Sequence, residues 1–177
     1  MEKKSKPRPR EIKKDGFVVD TSALLSLEST KLLKSVTEIA DLLIPAGVLK
    51  ELEDISRQDD DLAKVAERVL KQEENIFIEH IENTKKIPFI QDADNECFNL
   101  AKKHNLTLIT DDLKAIYHIA DKVKTMYSTF FLVALIQSGA LSKQKGLNLL
   151  EELRDMRSWE NNIIYLKTKK SIQELKD

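Results

Sequence analysis

Four acidic side chains stand where short apolar runs give way to polar sequence able to start a helix. They are Asp20 in Phe17-Val-Val-Asp-Thr-Ser-Ala, Glu51 in Ile44-Pro-Ala-Gly-Val-Leu-Lys-Glu, Asp94 in Gln91-Asp-Ala-Asp-Asn-Glu, and Asp112 in Leu108-Ile-Thr-Asp-Asp-Leu. Carboxylates at the C-terminal ends of buried parallel strands converge on one crevice. Such a cluster repels itself unless a cation sits in it, and hard oxygen ligands favour Mg²⁺ or Mn²⁺. That donor set suits metal-assisted hydrolysis of a phosphodiester.

Each acid also has a plainer explanation. Asp20 is a good helix N-cap, but the neighbouring hydroxyls of Thr21 and Ser22 can cap the helix too and leave Asp20 free. Inside a core strand an unpaired Asp would cost several kcal/mol, so the end of the strand is its place. Of Asp111 and Asp112, one can cap the next helix while the other faces the crevice; Asp112 is the favoured site member and Asp111 the second choice. The Thr110 hydroxyl can bond a neighbouring carboxylate or water. Asp94 sits at a helix start, where any acid gains from the helix dipole, and Asp92 and Glu96 compete with it. Glu51, among Lys50, Glu53 and Asp54, would alone be a solvated face. Its weight comes from the company of the other three.

The elements that must position these acids follow from the apolar pattern. Phe17-Val-Val, Leu42 to Ile44, Ile76 to Ile81, Leu106 to Thr110 and Val123 to Tyr127 read as short strands. Helical stretches alternate with them: two between Ala23 and Ile39 broken at Glu28-Ser-Thr, one from about Gly47, and one over Leu62 to Gln72. Asp92 to His104 and Asp112 to about Ala120 continue the series. After Tyr127, Ser128 is placed to cap an apolar helix over Phe130 to Gln137. Ser142 caps another helix running to about Met156, and a last helical segment follows Trp159. Strands separated by helices predict right-handed βαβ units and an α/β fold with a central parallel sheet covered on both faces. Residues 1–15 read as a flexible basic arm, 16–127 as the sheet domain, and 128–177 as a helical tail packed on it.

Composition narrows the function classes. The 177 residues carry a net charge of −1, which excludes a uniformly basic nucleic-acid binder while leaving room for local basic patches. Lys50, Lys102, Lys103 and Lys114 are the candidates near the acids. Cys97 is the one cysteine, so no internal disulfide forms and a cytosolic setting is expected. No apolar run approaches the roughly 18 residues of a membrane span. The N-terminal lysines precede no apolar stretch, so a secretory signal is not expected. His80, His104 and His118 show no metal-ligand spacing, and packing is expected for Tyr117, with base stacking as the alternative for Tyr117 and His118.

Together the four motifs resemble the PIN-domain ribonuclease family: Val-Val-Asp20-Thr-Ser-Ala, Ile-Pro-(x)2-Val-(x)2-Glu51, Asp94-(x)6-Ala101 and Ile-Thr-Asp-Asp112. Their order covers about Phe17 to Tyr127. The segment from Ser128, with Leu-Val-Ala-Leu-Ile-Gln-Ser-Gly and Leu149-Leu-Glu-Glu-Leu-Arg, is similar to the helical tail of toxin-like prokaryotic members. The resemblance implies a three-layer α/β/α, Rossmann-like fold and a Mg²⁺- or Mn²⁺-dependent endoribonuclease of the kind found in toxin–antitoxin pairs. It also implies RNA as substrate, an antitoxin protein as possible partner, and a homodimer. Asp20, Glu51, Asp94 and Asp112 would be the catalytic and metal-binding acids, with Asp111 in reserve. Thr21, Ser22 and Thr110 would be candidates for contact with the RNA phosphate. The rival readings are a PIN-like protein that binds or processes RNA with little catalysis, and an Asp-based phosphotransfer domain. The second lacks the further acid expected two residues after Asp20, where Ser22 stands.

Overall fold

The computed structural model describes residues 16–82 and 85–175. The basic arm expected over residues 1–15 lies outside the described residues, as do positions 83, 84, 176 and 177. The described residues form five strands and nine α-helices. In chain order these are β1 (Phe17–Val19), α1 (Thr21–Ser29), α2 (Leu33–Ile39), β2 (Leu42–Pro45), α3 (Ala46–Ser56), α4 (Asp61–Leu70), β3 (Phe77–Glu79), α5 (Asp92–His104), β4 (Thr107–Ile109), α6 (Leu113–Ile119), β5 (Thr125–Met126), α7 (Thr129–Gln137), α8 (Lys143–Arg157) and α9 (Ile163–Glu174). A single 3₁₀ turn, Glu73–Asn75, links α4 to β3.

The sheet order is β3-β2-β1-β4-β5, and every pairing is parallel. Such short strands hold together because they are buried on both faces: Val18, Val19, Leu42, Leu43, Ile44, Leu108 and Ile109 are all in the core. Right-handed crossovers put the helices that connect β1, β2 and β3 on one face. The chain then jumps back across the sheet to β4, which puts α5 and α6 on the other. Strand order reverses between β1 and β4, so the crevice of this doubly wound sheet opens above their C-terminal ends. The Val19↔Ile109 register and the Asp20 N–H donated to the Ile109 carbonyl align those two ends.

The fold matches the predicted α/β class, with local differences. The third strand is shorter than Ile76 to Ile81, because Glu79 ends its pairing opposite Pro45. Ser128 stands at the start of α7 without capping it; its hydroxyl and its N–H both go to Asp111 instead. The C-terminal helices share one core with the sheet. Phe17 packs its ring against Phe130 and Phe131 of α7, α8 lies on α1, and Leu150, Leu153, Trp159, Ile164 and Ile172 join the buried cluster. No helix among the described residues is long and apolar enough to cross a membrane.

Candidate active site

Asp20 is the first residue after β1 and is only 3% exposed. It caps α1 itself, accepting the Ala23 N–H at 2.7 Å, where the sequence pointed to Thr21 or Ser22 for that task. The extended backbone of Asp20 turns directly into the helix, so its carboxylate is the nearest acceptor for the first free N–H groups. Ser22 donates to both of its oxygens at 2.9 Å, and Thr110 donates to Oδ2 at 2.5 Å. A carboxylate has about four acceptor positions, and these three donors do not fill them.

Thr110 ties two acids together. Its hydroxyl donates to Asp20 and accepts the Asp112 N–H at 3.0 Å. Asp112 caps α6, with the Lys114 and Ala115 N–H groups both on Oδ1, and its carboxylate is half-buried. Asp112 thus caps α6 and also makes its charge felt at Asp94. Asp111 points the other way. It is buried, receives the Ser128 N–H at 2.9 Å and its hydroxyl at 2.7 Å, and anchors the start of α7. Ser22 fastens the same turn from the opposite side by accepting the Asp111 N–H at 3.0 Å.

Glu51, on α3, accepts the Thr21 hydroxyl at 2.5 Å, which brings it beside the start of α1. Asp94, in the first turn of α5, feels the charges of Asp112 and Glu51. Asp92 is exposed and paired with Lys86. Glu96 accepts the Gly47 N–H at 2.8 Å and so caps α3 from the neighbouring helix. Of the candidate cations, Lys103 is engaged with Glu79, while Lys50, Lys102 and Lys114 are exposed.

The electrostatics follow from this crowding. Burial pushes the Asp20 carboxyl up to about 7, helped by the charge of Asp111 and opposed by the hydrogen bonds from Thr110, Ala23 and Ser22. Burial pushes Asp94 up to about 6, helped by Asp112 and Glu51. The buried Cys97 thiol beneath them is raised by burial and then by the charges of Asp20, Asp94, Glu51 and Glu96. Among the described residues, the leading influences on these two aspartates include no Lys or Arg charge. These carboxylates and hydroxyls are hard oxygen donors, which suit a divalent cation such as Mg²⁺ or Mn²⁺. Among the described residues no three His, Cys, Asp or Glu side chains stand together as a group able to hold a metal ion by themselves.

A parallel sheet ordered 3-2-1-4-5 with helices on both faces defines a doubly wound α/β domain. A family model described as a PIN domain matches residues 16–174. The chain belongs to the PIN-domain family, whose members are in general nucleases. The match runs through α7, α8 and α9, so the C-terminal helices belong to the family domain. A search of curated proteins found no matching relative.

Proposed function

We propose that this protein is a Mg²⁺- or Mn²⁺-dependent endoribonuclease. The observation that carries the reading is a chain of pairwise links among acids from four separate segments: Thr110 joins Asp20 to Asp112, Asp94 feels the charges of Asp112 and Glu51, and Thr21 holds Glu51 beside the start of α1. Asp20, Asp94 and Asp112 would hold the metal directly or through water, and Glu51 would complete the shell. Mg²⁺ keeps several of its waters and takes only one or two protein carboxylates directly, so a cage of three converged side chains is not required. When bound, the ion activates a water and stabilises charge on the phosphate.

The chain's own part is positioning. Thr110 holds Asp20 and Asp112 in fixed relation, Thr21 holds Glu51, and Ser22 orients Asp20. Water oxygen bonds to phosphorus, the P–O3′ bond breaks, and the products are a 5′-phosphate and a 3′-hydroxyl. No side-chain nucleophile takes part. The family match also weighs against the phosphotransfer alternative.

The test is cleavage of a mixed single-stranded RNA with Mn²⁺ or Mg²⁺ against EDTA. Metal-dependent cutting is expected, falling by roughly a hundredfold or more in Asp20→Asn and in Asp94→Asn. Cutting that survives in both variants, or that persists in EDTA, would reject the proposed site.

A further inference from the structure

On the segment that leads into α5 and on α6, two large rings stand in solvent. Phe89 is 77% exposed and Tyr117 is 84% exposed. Phe89 lies three residues before α5 and adopts the left-handed backbone region (φ 73°), which is costly for a bulky residue. Its ring stacks on His118 of α6, with centroids 5.8 Å apart and planes 28° from parallel, and Tyr117 meets the same His118 edge-on at 5.2 Å. The expectation that Tyr117 packs inward is thus overturned. The inward face of α6 is taken by Ala115 and Ile119, which turns Tyr117 outward.

We infer that Phe89, His118 and Tyr117 form a stacking platform for the bases of a single-stranded RNA whose backbone crosses the neighbouring acids. The inference rests on the nuclease reading and adds to it how the strand is held. The platform and the acids share the same two segments: Phe89 leads into the helix of Asp94, and Tyr117 lies five residues, about 7.5 Å of helix rise, beyond Asp112. A crevice of carboxylates repels a polyanion, so the strand needs a grip that does not depend on charge. Stacking on aromatic rings supplies one, tolerant of sequence because every base has a π-face. Lys114 stands one helical turn before Tyr117 and His118 on the same face, where it can meet a phosphate. Isolated rings interspersed with lysine suit a nucleic acid better than the contiguous aliphatic patch of a protein-docking surface.

The experiment uses the full chain carrying Asp94→Asn, which lessens repulsion and stops cleavage, in EDTA. Fluorescence anisotropy would follow binding of a labelled oligoadenylate and of the same strand made abasic. Combined Phe89→Leu and Tyr117→Leu is expected to weaken oligoadenylate binding roughly five- to a hundredfold, while Tyr117→Phe retains it. The abasic strand is expected to bind weakly and equally to both forms. Equal affinity of the leucine variant and its parent would overturn the platform, as would tight binding of the abasic strand. If the unsubstituted chain still cuts RNA with metal in that event, only the platform falls; if it neither binds nor cuts, the nuclease reading falls with it. Unchanged RNA affinity joined to an altered sedimentation coefficient in the leucine variant would reassign the rings to contact with a second copy of the chain.

Discussion

At Asp20 and Asp94 the fold keeps carboxyls where their ionised forms are poorly compensated. Both native values, about 7 and about 6, lie above the ordinary 3.8. The folded state therefore binds more protons than the unfolded chain between those limits, and stability is lost as pH rises through the native values. For Asp20 alone the loss is on the order of a few kcal/mol. In EDTA, the melting temperature should drop from about pH 5 to about pH 8, and millimolar Mn²⁺ should reverse much of the drop. Asp94→Asn should melt higher than the parent at the alkaline end while losing cleavage, the trade expected where activity needs a strained site. A parent and variant with superimposable melting curves across that range would contradict this account of the charge. Asp111 and Asp112 offer a second contrast, because adjacent residues face opposite ways. Asp111→Ala strands the Ser128 N–H and hydroxyl and should cost about 2–4 kcal/mol in urea unfolding, with Asp111→Asn much milder and still able to cut RNA. Asp112→Asn should fold and fail to cut.

Among the elements, α3 depends on a neighbour. Pro45 precedes it and offers no side-chain cap, so the Gly47 N–H turns to Glu96 on α5. A Cβ on residue 47 would come within 2.7 Å of the Glu96 carboxylate, so a larger residue there would push this side chain off its bond to α3. Because α3 carries Glu51 and α5 carries Asp94, this bond, together with the direct packing of the two helices, helps hold the two proposed ligands in place. Glu96→Ala should destabilise the fold by about 1 kcal/mol and weaken Mn²⁺ affinity in a direct titration. Stability reduced with unaltered Mn²⁺ affinity would separate the cap from the site. The span of α5 was readable from its sequence, since its apolar face recurs through Ala93, Cys97, Leu100 and Ala101, and Asn105 closes it in the left-handed region. The exposure of Tyr117 was not readable, because α6 is short and its inward face is chosen by what lies beneath it.

For the whole molecule, the C-terminal helices share the buried core of the sheet and are expected to unfold with it. Asp111 is anchored on Ser128, Phe17 packs on α7, and α8 lies on α1. A chain ending at Tyr127 would leave Asp111 without its partner and bare the apolar surfaces of β1 and α1. It should be recovered unfolded or aggregated, with no cooperative thermal transition, and a soluble two-state truncation product would show that the helices are an addition to a self-sufficient core.

Local pattern in the sequence was enough to indicate the parallel α/β class and most helices, and to single out four acids at the strand and helix ends. Buried strands must be apolar, helices must show their periodicity, and a carboxylate between the two is conspicuous on either ground. Which donor binds which acceptor was decided only in three dimensions. Asp20 caps its own helix, Asp111 turns inward, Glu96 serves α3, and Phe89 meets His118 because residues remote in the chain compete for the same few groups at the strand ends. Spacing along a sequence carries no record of that competition; it is settled by the sheet order that brings β1 beside β4 and by the helices packed across it.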